Sequence, residues 1–115
     1  MGLKPIPTAW CRAVCAALRQ GSRSARYTES GRQRWELEFP AAFRSDLDES
    51  LVRALSAPNL VGCPVQMDDP PGETWEFYFQ FQSEKLYGKI LLKRDRKQVV
   101  VFSAHRPGKS KLRCE

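Results

Sequence analysis

Trp75-Glu76-Phe77-Tyr78-Phe79-Gln80-Phe81, Tyr87-Gly88-Lys89-Ile90-Leu91-Leu92-Lys93 and Val99-Val100-Val101-Phe102-Ser103-Ala104-His105 decide the fold. Each run is rich in aromatic and β-branched residues, and polar turns separate them at Gln82-Ser83-Glu84-Lys85 and Arg94-Asp95-Arg96-Lys97-Gln98. That pattern predicts three consecutive antiparallel strands. On the first, Trp75, Phe77, Phe79 and Phe81 share the core face and Glu76, Tyr78 and Gln80 the other, because strand side chains alternate. A four-residue turn pairing Phe81 with Leu86 sets Tyr78 opposite Lys89 and Gln80 opposite Tyr87. A five-residue turn pairing Lys93 with Val99 puts Val100, Phe102 and Ala104 on the core face, Lys89 opposite Ser103 and Tyr87 opposite His105. The second face then carries two rows, Tyr78–Lys89–Ser103 and Gln80–Tyr87–His105, with Leu91, Val99 and Val101 beside them. An even-numbered second loop would instead separate Lys89 from His105, since a slip of one residue exchanges the faces.

Working outward, residues 8–20 predict a helix with Thr8 as N-cap, Trp10, Cys11, Val14, Cys15 and Leu18 on one face, and Gly21 ending it. The polar stretch 21–31 reads as a loop or poorly ordered arm. Arg34-Trp35-Glu36-Leu37-Glu38-Phe39 alternates and predicts a strand stopped by Pro40. A second helix follows, with Ser45 and Asp48 at capping-box spacing and Leu47, Leu51, Val52 and Leu55 on its apolar face before Pro58. Residues 59–74 read as a long connection with a short edge strand, and its acids Asp68, Asp69 and Glu73 as solvated loop charges. The sum is one α+β domain over residues 1–115, with two N-terminal helices packed on an antiparallel sheet of about four strands. After His105 a basic C-terminal segment, 106–115, leaves the sheet, because Pro107 cannot donate to a ladder.

Charge is unevenly placed. Residues 85–115 hold ten Lys/Arg against two acids, whereas residues 1–84 hold nine against eleven. Such a basic surface concentrates phosphate-bearing ligands, so a nucleic acid, RNA or DNA, is the expected partner, with Lys93, Arg94, Arg96, Lys97, Lys109, Lys111 and Arg113 as the RNA phosphate contacts. The hydrophobic fraction of 42% argues against disorder. No apolar run approaches the ~20 residues of a membrane span, and Arg12 and Arg19 interrupt the only N-terminal candidate for a signal core, so a cytoplasmic protein without membrane association is expected. The four cysteines form no C-x-x-C pair; they read as reduced, small core groups in preference to a zinc site with His105. No metal and no cofactor are expected.

The second face has a composition suited to metal-independent RNA cleavage. That reaction needs a base for the ribose 2′-OH, a cation for charge building on the phosphate, and an acid for the departing 5′ oxygen. His105, the only histidine, is the candidate base or acid, because imidazole can carry a proton in either direction near neutrality. Lys89 and Arg106 are the candidate transition-state cations. Tyr87 or Tyr78 is the positioning group or partner acid, and Glu76 a reserve base. The alternative readings are a non-catalytic RNA-binding or protein-interaction module with a basic face.

The order helix, strand, helix, long loop, three-stranded meander and basic segment resembles the RelE/ParE-type toxin superfamily, a group that takes in MqsR-type toxins and colicin-type tRNases. Leu86-Tyr87-Gly88-Lys89-Ile90-Leu91-Leu92 followed by Val99-Val100-Val101-Phe102-Ser103 is similar to the closing hairpin of MqsR-type toxins. The resemblance implies an endoribonuclease toxin with its site on the meander and C-terminal segment, at Tyr87, Lys89, His105 and Arg106. It also implies a protein antitoxin covering the basic face. Some ParE-type relatives poison DNA gyrase, which the resemblance leaves as a further alternative. The long Pro/Gly-rich loop before the meander departs from RelE proteins, and 109–115 matches no family motif.

Overall fold

The computed structural model describes residues 2–67, 69–108 and 111–115. Its elements in chain order are β1 (Lys4–Pro5), α1 (Thr8–Arg19), a 3₁₀ turn (Gly21–Arg23), β2 (Ala25–Tyr27), α2 (Glu29–Glu38), α3 (Arg44–Ser56), β3 (Val61–Val65), β4 (Gly72–Phe81), β5 (Glu84–Lys93) and β6 (Val99–His105). The strands form one mixed sheet in the order β1-β3-β4-β5-β6-β2, antiparallel except where β2 runs parallel to β6. The class is α+β as expected. Three helices and six strands among the described residues replace the expected two helices on about four strands. No helix among these residues is long and apolar enough to cross a membrane.

The extra helix corrects the strand expected at 34–39. Trp35, Leu37 and Phe39 do alternate, but the buried stripe is Gly31, Trp35 and Phe39 at i, i+4 and i+8, while Leu37 is 83% exposed. Thr28 Oγ1 caps the helix by accepting from Gly31 N at 3.1 Å. The i,i+4 pairs Arg32–Glu36 and Arg34–Glu38 line its outer face. Gly31 lets α2 pack tightly, since a Cβ there would lie 2.4 Å from Phe102 O. The arm expected before it is no loop either: Ala25, Arg26 and Tyr27 pair with Val99, Val100 and Val101.

α1 and α3 follow the sequence more closely. Trp10, Cys11, Val14, Cys15 and Leu18 are buried on α1, and Leu47, Leu51 and Leu55 on α3. The α3 cap is displaced from the expected Ser45/Asp48 pair: Phe43 N donates to Asp46 Oδ2 at 3.0 Å. Asp48 instead accepts from Tyr27 OH at 2.5 Å, tying α3 to β2. Burial, and then the Asp48 charge and hydrogen bond, drive the Tyr27 phenol well above its ordinary pKa.

Two register details position the second face. The β4–β5 hairpin has a two-residue turn, Gln82-Ser83, both at positive φ (49° and 67°), as the tight turns favoured between twisted strands require. Phe81 therefore pairs with Glu84, Tyr78 with Tyr87 and Glu76 with Lys89, a shift of two residues that leaves every side chain on its expected face. In the β5–β6 hairpin, Lys93 N donates to Gln98 O at 2.9 Å and Leu92 pairs with Val99, so the loop is even-numbered. Val99 and Val101 thus join the core, and Val100 pairs with Leu91 outside that cluster, the reverse of the expected phase. A bulge then intervenes between Lys89 and Ile90, leaving Phe102 as the extra residue. Beyond it Lys89 meets Ser103 and Tyr87 meets His105, so the expected alignment is restored by a second irregularity.

The cysteine reading is half corrected. Cys11 and Cys15 are free and buried, but Cys63 and Cys114 form a disulfide across 51 residues of sequence. It fastens the segment after β6 onto the second face.

Candidate functional site

The second face holds a hollow of about 320 Å³ lined by Arg34, Glu76, Tyr87, His105, Pro107, Gly108, Lys111 and Arg113. Strands β4, β5 and β6 supply Glu76, Tyr87 and His105 from two neighbouring rows, Tyr87 being paired with His105, while α2 supplies Arg34 and the segment after β6 supplies the rest. Three larger hollows lie elsewhere. One of about 700 Å³ runs between β2, α2 and α3. Another, of about 490 Å³, lies beside α1 and holds the two free thiols. A third, of about 380 Å³, lies between α1 and α3 beside Leu18, Asp48 and Val52. Only the second-face hollow joins the histidine to several cations.

Glu76 is the centre of this site. It is 2% exposed, and its two oxygens are both engaged: Oε2 accepts from Tyr87 OH at 2.6 Å and Oε1 from Arg113 N at 2.7 Å. The Arg113 guanidinium reaches Oε2 at 3.8 Å. A buried carboxylate needs such partners, because desolvation of an unpaired charge is costly. Burial, and then the bond to Glu76, push the Tyr87 phenol well above its ordinary pKa. Tyr87 is therefore a neutral donor committed to Glu76, which suits positioning and not proton delivery. Its ring lies against His105, with centroids 5.3 Å apart.

His105 is oriented from the backbone. Nδ1 lies 2.8 Å from Arg106 O. A carbonyl can only accept, so Nδ1 carries the proton and the lone pair of the neutral ring is on Nε2. A base with a defined tautomer thus stands in a hollow containing Lys111 and two ion-paired cations, Arg34 with Glu38 at 3.5 Å and Arg113 with Glu76. That arrangement can hold a phosphate and move a proton beside it.

The remaining expected residues are distributed around this point. Tyr78 pairs with Tyr87 in the ladder, its OH donates to Glu115 Oε1 at 3.0 Å, and Lys85 Nζ lies 4.4 Å from its ring centroid. Burial and the Glu115 contact raise its pKa. Lys89 shares the face but lies outside the hollow, with Nζ 5.5 Å from the Phe102 ring centroid. Arg106 turns away: its guanidinium bonds Glu84 at 2.7 and 3.1 Å and sits 4.5 Å from the Phe39 ring centroid, so it cannot act as the cation beside His105. Lys93, Arg94, Arg96 and Lys97 stand at the β5–β6 loop, a strand length of roughly 20 Å from His105 at ~3.3 Å per residue. Arg96 there pairs with Glu73 at 3.6 Å. The expected single basic surface is therefore two clusters, one at each end of β6. Lys111 and Arg113 belong to the hollow, and Lys109 lies outside the described residues.

Arg34 is not legible as a site residue while the alternation of 34–39 predicts a strand; the i, i+4, i+8 spacing of Gly31, Trp35 and Phe39 is the signal that places it on a helix. Sequence patterns also underweight Glu76 and do not show the Cys63–Cys114 pair, for which 51 residues of separation leave no local signature. Among the described residues no group of three His, Cys, Asp or Glu side chains is placed to hold a metal. Comparison with family models, with curated proteins and with solved structures finds no match. The functional reading therefore stands on the geometry of this site.

Proposed function

We propose that this protein is a metal-independent endoribonuclease, a toxin of the kind restrained by a protein antitoxin that covers the basic hollow, acting on cytoplasmic RNA. The observation that carries the reading is His105, its tautomer set by Arg106 O, within a hollow that also contains Arg34, Lys111 and Arg113. A phosphodiester held by those cations brings the adjacent ribose to Nε2. His105 takes the 2′-OH proton, the 2′ oxygen attacks phosphorus, and the P–O5′ bond breaks. The imidazolium then gives its proton to the departing 5′ oxygen, leaving a 2′,3′-cyclic phosphate and a 5′-hydroxyl. The cations stabilise the extra charge on the phosphoryl oxygens. Glu76 and Tyr87 position the ring, and Lys89 and Tyr78, on the same face, line the path of the neighbouring nucleotide.

Incubation of the purified protein with total cellular RNA in EDTA tests this reading. New ends bearing 2′,3′-cyclic phosphate are expected, and His105→Ala should slow their appearance by about 100-fold or more, the range for a positioned proton carrier. Retained binding with a steep salt dependence but intact RNA would make the protein a binding module. Neither cutting nor binding would remove nucleic acid from consideration.

A further inference from the structure

Two of the three cations in the hollow, Lys111 and Arg113, come from one short segment whose attachment is unusual. Residues 111–115 lie across the second face, closed into a turn by Leu112 N donating to Glu115 Oε1 at 2.9 Å and Glu115 N to Leu112 O at 3.1 Å. Leu112 is buried, Tyr78 OH bonds Glu115, and Arg113 N bonds Glu76. The covalent attachment is Cys114 to Cys63. Cys63 and Glu76 are partners across the β3–β4 ladder, and Cys114 follows Arg113 in the chain. One disulfide and one carboxylate thus hold two adjacent residues of the segment against two adjacent residues of the sheet.

We infer that residues 111–115 are the detachable, phosphate-binding half of the site, and that the Cys63–Cys114 bond controls whether it is assembled. The inference rests on reading the hollow as a phosphate site. With the bond closed, Arg113 and Lys111 are fixed beside His105, and Glu76 is held in place to receive Tyr87. With it open, the segment keeps its hydrogen bonds, the Arg113–Glu76 ion pair and one buried leucine, and the entropy of freeing its residues favours release. Release removes two of the three cations and takes the Arg113 amide from Glu76.

The chemistry of opening is ordinary exchange. Cys63 is fully buried whereas Cys114 is partly exposed, so an external thiolate attacks the Cys114 sulfur and Cys63 leaves as the thiolate. A second thiol of the same dithiol then displaces Cys114. Two electrons pass to the protein, both cysteines end as thiols, and the dithiol ends as a cyclic disulfide. The cytoplasm keeps thiols reduced and would hold the cradle open, so action on cytoplasmic RNA would begin when oxidation closes the bond.

The test uses a 2′-O-methyl RNA hexanucleotide, which binds but cannot be cut, titrated against the oxidised protein, the dithiothreitol-reduced protein, Cys114→Ser and Arg113→Gln, with far-UV circular dichroism to show that each stays folded. Reduction and Cys114→Ser should each weaken binding about tenfold. They should also lower the slope of log K against log salt by about 1.4, two contacts at about 0.7 each for a single strand. Arg113→Gln should lower it by about 0.7 while the disulfide stays closed, so loss of the cation is separated from loss of the bond. Unchanged affinity and slope in a folded protein shown to carry four free thiols would overturn the inference, as would failure of the oxidised protein to bind the oligonucleotide. Redox-dependent binding without cleavage of natural RNA would sink the ribonuclease reading and leave the cradle standing. Cleavage indifferent to reduction would do the reverse.

Discussion

Replacing both bridged cysteines, Cys63→Ser with Cys114→Ser, should destabilise the fold by about 4 kcal/mol. The bond closes a loop of 51 residues of sequence separation, and the loss of loop-closure entropy that it imposes on the unfolded chain comes to about 4 kcal/mol at 25 °C for a loop of that length. A domain of this size has about 5–15 kcal/mol in total. The variant should therefore stay folded, because its main core lies between the other sheet face and the helices, built from Trp10, Leu47, Leu51, Phe77 and Ile90 among others. At about 4 °C per kcal/mol, the midpoint of thermal unfolding should fall by roughly 16 °C. In urea the midpoint should fall by about 2 M at a slope of about 2 kcal/mol/M. Trp10, Trp35 and Trp75 are all buried and report the transition by fluorescence. Wild-type protein in reductant should match the double variant. A loss below about 1 kcal/mol, with all thiols shown to be free, would refute the loop-closure reasoning, since an effect that small means the unfolded chain is not appreciably freed.

Three further outcomes follow from the same geometry. Gln82→Asn with Ser83→Gly should raise stability by about 1 kcal/mol in chemical denaturation, because both positions have positive φ that Asn and Gly adopt at lower cost; a loss would mean the turn is not of this kind. Gly31→Ala should cost about 1–3 kcal/mol, since the new methyl meets Phe102 O at 2.4 Å and Thr28 Oγ1 at 2.9 Å, forcing α2 off the bulge of β6; a neutral result would show that α2 is seated otherwise. The Leu112 N–H, then the Tyr78 hydroxyl and the nearby lysines, hold the Glu115 carboxyl below the ordinary glutamate pKa. Its folded pKa is depressed, so its support of the 111–115 turn is complete above the unfolded value and lost as pH falls through the folded one. Amide NMR signals of Leu112 and Arg113 should hold until the pH passes below the ordinary glutamate value, and Tyr78→Phe should move that midpoint upward.

The candidate site was legible in part, and for identifiable reasons. The meander was read correctly as strands because hydrophobic alternation is a local signal, and Tyr87 and His105 met as expected. They met despite two errors of phase, one at an even-numbered loop and one at a bulge, which cancel between Ile90 and Lys89. Bulges and tight turns depend on packing against the rest of the sheet, here with α2 pressed on Phe102 O through Gly31. Arg106 shows the opposite case. Its place in the chain, next to His105, suggested a shared role, but successive residues leave a strand in opposite directions, and Glu84, Glu38 and Phe39 hold it on the other side.

Local composition and periodicity were sufficient for the α+β class, the faces of α1 and α3, the three meander strands and the concentration of positive charge after residue 84. Those features follow from which residues recur at 2.0 or 3.6 positions, and from charge counted along the chain. Tertiary structure alone decided that β2 closes the sheet in parallel with β6 and that Cys63 reaches Cys114. It also divided the basic residues between two ends of a strand and brought Arg34, Glu76 and Arg113 to one hollow. The physical reason is distance along the chain: a contact between residues far apart in sequence gains its energy only from the assembled core, and so leaves no periodic mark near either partner.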